Sequence, residues 1–276
     1  MTVLQETEFE ILKAFDAVCR QLELPYFLVC GSALGAVKYG GFIPWDDDVD
    51  VGMFREDYRI FLEKAPALLP EHLFLQNFRS DPQFPQIFSK LRNSNTTYLE
   101  KSVASLPIHH GVFIDIFPLD GFPKGKWQQK KLIFFKRLYA SMLLSVCDIP
   151  RKGLSRLTYP VFHFLGVRKH TAKIAAKCER LISSVPVSGS EIICNHGNWQ
   201  GSLEYAPRWH YGSGTPMTFE GLQVLVPEHY EEYLTQKYGD YRQDLPETQK
   251  KGHHYHLVCD CDRSYQQYTN ATEESI

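Results

Sequence analysis

The 276-residue chain lacks a dominant charge: 30 Lys and Arg stand against 32 Asp and Glu, a formal net charge of −2. Without a global positive field nothing gathers a polyanion, so nucleic acid is not expected as a partner and any phosphate must be met locally. Cysteine is sparse and odd in number, seven residues scattered from Cys19 to Cys261, which fits reduced thiols better than a disulfide framework. A long apolar run is missing too. The best charge-free stretch, Leu138 to Cys147, has about half the residues a transmembrane helix needs. Met1 to Glu10 carries three acidic residues and no basic one, unlike an export signal. A cytoplasmic protein is therefore expected, touching the inner face of a membrane peripherally at most. Internal repeats and low-complexity tracts are absent as well. What is present is a hydrophobic content of 43%, enough to bury a sizeable core.

Helical spacing of Phe9, Leu12, Phe15, Ala17 and Cys19 predicts an amphipathic helix over 6–22. A short buried strand, Tyr26 to Cys30, then runs into Gly31-Ser32, with a helix over 33–39. Asp48 to Met53 alternates carboxylate and apolar residues in strand fashion, and a helix over 55–65 follows. Further strands are expected at 73–78, 88–91, 111–117 and 217–226, and another helix over 228–238. From Lys126 to Ser184 the pattern turns helical with basic flanks, interrupted by Pro150, Gly153 and Pro160. The tail beyond about Cys261 is expected to be loosely ordered. The organisation predicted is an α/β (α+β) fold with a catalytic core at 1–125, a helical insertion at 126–215, and a segment completing the core at 216–276.

Chemistry concentrates in Phe42-Ile43-Pro44-Trp45-Asp46-Asp47-Asp48-Val49-Asp50-Val51-Gly52-Met53. Residues two apart in a strand face the same way, so Asp48 and Asp50 present both carboxylates to one site, about 7 Å apart along the backbone. Four aspartates in five residues repel one another, and Mg²⁺ or Mn²⁺ taking oxygen ligands relieves that most simply. A solvated acidic turn is the alternative reading. It has no need of Val49, Val51 and Met53 between its charges, a pattern that fixes one face in a core and aims the other at a cleft. An EF-hand loop starting at Asp46 would want glycine sixth and glutamate twelfth, where the chain has Val51 and Asp57. A second carboxylate strand surrounds Asp115 with Val112, Phe113, Ile114 and Ile116. A charge buried there calls for a cation, shared with Asp48 and Asp50, or for backbone donors. Asp120, beyond Pro118, is expected to cap a turn.

The blocks Gly31-Ser32-Ala33-Leu34-Gly35-Ala36-Val37, Gly41 to Asp50 and Gly111 to Asp120 resemble the LicD-type phosphotransferases, related to the fukutin-type ribitol-phosphate transferases. A weaker fourth block, Val226-Pro227-Glu228-His229-Tyr230 with Tyr233-Leu234 and Tyr238-Gly239-Asp240-Tyr241, is similar too. Together they span most of the chain outside 125–215. The Ile-Pro-Trp-Asp-Asp-Asp run is far more specific than a bare Asp-x-Asp, while Lys38-Tyr39 stands where Arg-His is frequent. The resemblance implies a nucleotidyltransferase-like mixed-sheet core, with Asp48, Asp50 and Asp115 as metal-binding and catalytic carboxylates. It implies a phosphate at Gly31 and Ser32 on a helix N-terminus, where Ser32 is also a candidate cap. The implied reaction moves a phospho-alcohol from a CDP-alcohol, CDP-choline first, to a glycan or lipid-linked glycan acceptor of lipopolysaccharide, teichoic acid or capsule. Asp115 is the candidate base by analogy.

Positive groups should complete such a site. Lys90 and Arg92 share one face of a strand and are candidate phosphate clamps, or else a solvated edge pair. His109-His110 lies just before the Asp115 strand, and His110 is taken as a candidate phosphate contact. Near the C-terminus His253, His254, His256, Cys259 and Cys261 cluster, but their spacing does not suit the usual zinc pairs. Lys250 and Lys251 beside them are a cheaper anion patch. The basic-aromatic segments Lys130 to Tyr139 and Tyr159 to Lys169 read as a helical cap, with an interfacial helix as the alternative. Two rival functions stay open: a nucleotidyltransferase forming a nucleotide-activated product, and a non-catalytic metal-binding module.

Overall fold

The computed structural model describes residues 1–276 apart from 152, 154, 198–200, 251, 253 and 272–276. Helix α1 (Val3–Gln21) starts on a capping box, in which Thr2 and Gln5 satisfy each other's backbone amides. Its buried stripe is Ile11, Leu12, Phe15, Val18 and Cys19, with Ala17 turned to solvent. Then come β1 (Phe27–Leu28), α2 (Cys30–Tyr39), β2 (Asp50–Phe54), α3 (Arg55–Lys64), β3 (Leu73–Gln76), β4 (Ser89–Asn93), β5 (Thr97–Glu100) and β6 (Phe113–Gly121). Three helices follow, α4 (Lys126–Leu144), α5 (Ser155–Phe164) and α6 (Thr171–Ile182). The chain returns through β7 (Ile192–Asn195), β8 (Tyr205–Pro207), β9 (Thr215–Phe219), β10 (Leu222–Val226), α7 (Tyr230–Tyr238), β11 (His256–Asp260) and α8 (Gln266–Ala271).

The mixed α/β architecture expected from the pattern is what forms, and β6 is its axis. All nine residues of β6 are buried, as a strand covered on both faces requires. On one edge β2 runs parallel to it, with Asp50 opposite Asp115. On the other edge β4 pairs antiparallel up to Ile116, and β7 takes over from Leu119. Pro118 falls in the gap between them. The Asp115 amide donates to Val49 O at 2.8 Å, so by alternation the nitrogen of Pro118 points to the edge where neither β4 nor β7 needs a donor. β1 extends the sheet beyond β2, β3 beyond β4, and β8 beyond β7.

Several elements depart from the sequence expectations. β7 and β8 lie in the segment read as helical, yet they join the main sheet. Residues 217–226 hold a hairpin rather than one strand, turning at Glu220 (φ 49°) and Gly221 (φ 86°). Such a turn wants two left-handed residues, and glutamate in the first position hides the signal. The C-terminal region forms β11, paired with β5, and then α8. Helices α4 to α6 build a satellite core from Leu143, Phe162, Ile174 and Cys178, seated on Phe78 and Ile87.

Asp120 does not cap a turn. It lies inside β6, fully buried, and takes a bidentate pair from Arg55 of α3, with Nε to Oδ1 and Nη2 to Oδ2 both at 2.7 Å. Arg55 also approaches Glu179 of α6 at 3.3 Å, so one guanidinium ties sheet, helix and satellite core together. Breaking a buried pair strands a charge, so Asp120→Ala is expected to cost about 3–5 kcal/mol. Loss of a simple cap would cost about 1 kcal/mol. Urea unfolding separates the two outcomes.

Candidate functional site

Where β2 begins alongside β6, a cavity of about 550 Å³ opens. Its acidic wall is Asp46, Asp48, Asp50, Glu100, Asp115 and Asp240, facing Lys38, Lys90 and His254. Tyr39, Trp45, Phe88, Phe117, Tyr238 and Tyr241 line much of the remainder.

The acidic loop is held from behind by two helices. Gln5 Nε2 of α1 donates to Ile43 O at 3.2 Å and Asp46 O at 3.0 Å. Ser32 Oγ of α2 accepts from the Asp50 amide at 2.8 Å, fixing where the strand starts. Helix α2 itself begins at Cys30, whose left-handed backbone (φ 53°) makes the sharp exit from β1. The fit against the loop is close: a Cβ on Gly31 would lie 2.8 Å from Asp46 Oδ2, and one on Gly35 would lie 2.5 Å from Gly41 O. A side chain is excluded at Gly35, where backbone stands in the way, whereas at Gly31 it would displace the Asp46 carboxylate.

Parallel pairing then sets Asp50 beside Asp115, on strands about 4.8 Å apart. Burial drives the Asp50 carboxyl well above the usual carboxylate range, and the charges of Asp48, Asp115 and Asp46 push it further. Asp46 is pushed up to about 8, by burial first and then by Asp48 and Asp47. Burial raises Asp115 as well, against the opposing pull of Lys90. Lys90 Nζ stands 2.9 Å from Asp115 Oδ1 and 3.5 Å from Glu100 Oε1. Lys90 is thus the partner of the buried Asp115 oxygen among the described residues. Burial alone would raise Glu100, yet Lys90 and Arg92 hold it down at about 2. His254 shows the mirror image. Burial would lower it, but the Asp47 hydrogen bond and the Asp48 charge raise it to about 10.

Asp48, Asp50, Asp115, Gly31 and Lys90, singled out from the sequence, all line this cavity. The strand itself starts only at Asp50, with Asp48 in the extended approach to it. Ser32, Arg92 and His110 do not reach the cavity. Ser32 is buried with its hydroxyl on the Asp50 amide, and Val29, not Ser32, precedes the helix as its cap residue. Arg92 is fully buried, with Nε, Nη1 and Nη2 each donating, to Gln76, Gly111 O and Glu100. It braces Glu100 rather than clamping phosphate. His110, also fully buried, has Nε2 3.0 Å from Leu106 O, and His109 stacks on Phe74. Lys250 sits 5.2 Å from the Trp45 ring centroid; Lys251 and His253 lie outside the described residues.

Missed in the sequence were Glu100 and the direct part played by Asp46 and Asp47, and His254 was noted only as a member of the C-terminal cluster. The C-terminal histidines divide: His254 turns to Asp47 at 3.3 Å, whereas His256 approaches Tyr98 Oη at 3.2 Å. Asp47, Asp48 and His254 bring one ligating atom each within 4.8 Å of one another, the only such trio among the described residues. Asp48, Asp50 and Asp115 share the cavity without drawing so close. The oxygen-rich set fits a hard divalent cation. His254 fits the role of counter-charge better, because a protonated imidazole has no lone pair to give.

Residues 23–142 match the family described as LicD/FKTN/FKRP, nucleotidyltransferase domain. The chain is 30% identical over 254 residues to the lipopolysaccharide cholinephosphotransferase LicD of Haemophilus influenzae, covering 88% of this chain and 92% of that protein. It is also 39% identical over 57 residues to the human ribitol 5-phosphate transferase FKRP, covering 21% of this chain and 11% of that protein. With the mouse ribitol-5-phosphate transferase FKTN the identity is 35% over 75 residues, 26% and 16% of the two chains.

A pH dependence of stability follows. An aspartate ordinarily at 3.8 but at about 8 when folded stabilises the fold at low pH, a contribution lost as pH rises from 3.8 through about 8. A histidine moved from 6.5 to about 10 stabilises fully below 6.5, and this too is lost as pH rises through 10. Both signs agree. In EDTA the melting temperature should fall from pH 6 to pH 9, and Asp50→Asn should raise it at pH 8. Scanning calorimetry checks both, and a rise of the parent's melting temperature over that range would refute the electrostatic account.

Proposed function

Because the chain belongs to the LicD family, which unites the LicD, FKTN and FKRP nucleotidyltransferase domains, we propose that it is a phosphotransferase moving a phospho-alcohol to a sugar hydroxyl. Phosphocholine from CDP-choline is the first choice of group and donor, and a cell-surface glycan or its lipid-linked precursor is the acceptor. A lipid-linked acceptor would place the reaction at the inner face of a membrane. The observation that carries the reading is the register of β2 on β6, which sets Asp50 beside Asp115 at one end of a cavity with room for a nucleotide donor. Catalysis belongs to residues 1–125 and 216–276 with β7 and β8, and the acceptor side to the helices between.

Asp48, Asp50 and Asp115 would hold Mg²⁺ or Mn²⁺, which when bound neutralises the donor's phosphate charge. The chain's own groups supply the rest. Gly31, in the first turn of α2, exposes backbone where a phosphate can approach a helix N-terminus. Lys90, held by Asp115 and Glu100, offsets negative charge at the far wall. Asp115, raised by burial, is suited to take the acceptor proton. The acceptor oxygen then bonds to the choline-bearing phosphorus as the bond to the CMP oxygen breaks. Tyr39, Trp45, Tyr238 and Tyr241 offer π faces to a quaternary ammonium group.

The test is a transfer assay with a panel of CDP-alcohols, with and without EDTA, followed by product analysis. Asp48→Asn and Asp115→Asn should each lower kcat by at least about 10²-fold. Undiminished transfer in EDTA would sink the metal-assisted reading, and release of pyrophosphate with a nucleotide-activated product would favour the nucleotidyltransferase instead. Trp45→Ala should raise KM for CDP-choline by roughly 2- to 30-fold and leave KM for CDP-glycerol little changed. Equal effects on both donors would remove the aromatic face from choline recognition.

A further inference from the structure

The charge of this chain is unevenly distributed. Residues 126–180 hold thirteen of its 30 Lys and Arg but only two of its 32 Asp and Glu, a net of +11 against −13 for everything else. The same segment carries the most exposed large apolar side chains of the helices. On α4, Trp127, Phe134 and Leu138 are 79%, 64% and 39% exposed. At 100° per residue they fall within about 40° of one another around the helix. Exposed Lys130, Lys131 and Arg137 flank that stripe. The inward face of α4 is separate, made by Leu132, Ala140 and Leu143, so the outward stripe is a second apolar face that internal packing does not use.

Helix α5 repeats the arrangement. Leu157, Val161 and Phe164, spaced by four and three residues, are 72%, 53% and 89% exposed, while Phe162 of the same helix enters the satellite core. Next to it a cavity of about 1030 Å³ is lined by Arg151, Arg168, Lys169 and Lys173. No helix among the described residues is long and apolar enough to cross a membrane.

We propose that the outward faces of α4 and α5 form a peripheral docking surface for an anionic phospholipid bilayer. Trp127, Phe134 and Phe164 enter the head-group boundary, and the flanking Lys and Arg meet lipid phosphates. Charge complementarity selects this occupant: a folded partner would have to bury the exposed apolar stripe and also neutralise a surplus of eleven positive charges, whereas an anionic bilayer does both at once. The bipartite charge also orients the molecule, its acidic remainder being repelled from the same surface. This surface lies outside the catalytic cavity, so the proposal stands or falls independently of the transferase reading.

Sedimentation of the full chain with vesicles tests it. The protein should pellet with phosphatidylcholine vesicles containing phosphatidylglycerol and stay in the supernatant with phosphatidylcholine alone. Partitioning should fall about tenfold or more for Phe134→Glu/Phe164→Glu and for Lys130→Glu/Lys131→Glu/Arg137→Glu. Quenching of Trp127 by bromine-labelled acyl chains, read as the difference between the parent and Trp127→Phe, gives a second measure that does not depend on the charge-reversed variants folding. Absence of binding to anionic vesicles, equal binding to neutral ones, or partitioning unchanged in the variants with Trp127 unquenched would each overturn the proposal. The melting temperature and circular dichroism of Phe134→Glu/Phe164→Glu should match those of the parent, which separates a docking defect from misfolding.

Discussion

Two carboxylates on adjacent parallel strands, Asp50 on β2 and Asp115 on β6, set the terms for the rest of this molecule. Burying like charges side by side is unfavourable, and the surrounding structure is arranged to contain the cost without removing it. Lys90 and His254 supply positive charge on one side. Gln5 and Ser32 grip the backbone of the acidic loop on the other. Glycine at 35 lets α2 approach the backbone of the loop closely enough to complete the wall. The backbone contacts hold the loop around a charge that Lys90 and His254 offset only in part.

Much of this was legible in the sequence, because strand alternation is a strict rule. Asp48 and Asp50 two apart, with Val49 and Val51 between them, have one self-consistent burial, and Asp115 amid aliphatic neighbours has the same logic. Those three residues did converge on one cavity. Alternation does not report which neighbour each side chain meets, and there the reading failed. Lys90 and Arg92 share a face as expected, yet Lys90 is opposite Asp115 and Arg92 opposite Phe113. One therefore enters the cavity, and the other is consumed by Glu100 and Gly111.

The remaining misses have the same origin in sequence separation. Asp120 looked like a turn residue because Pro118 suggested the end of a strand. The strand continues because the proline's missing donor falls between two partner strands, one of them more than 70 residues downstream. His254 stood out only as one of a C-terminal cluster, because its partners in the acidic loop are about 200 positions away. Ser32 carried the right address but the wrong role: its hydroxyl is spent on the backbone of Asp50.

The pairing of β5 with β11 has a consequence for biogenesis. These strands join residues 97–100 to 256–260, so the imidazole of His254 leaves the ribosome about 200 residues after the acidic loop it faces. At roughly 5–20 residues per second, the N-terminal carboxylates wait many seconds for their counter-charge. Until then the carboxylates have Lys90 beside Asp115 but lack the imidazole that faces Asp47 and Asp48. A cation captured during translation would relieve that repulsion, coupling maturation of the chain to the ionic composition around it.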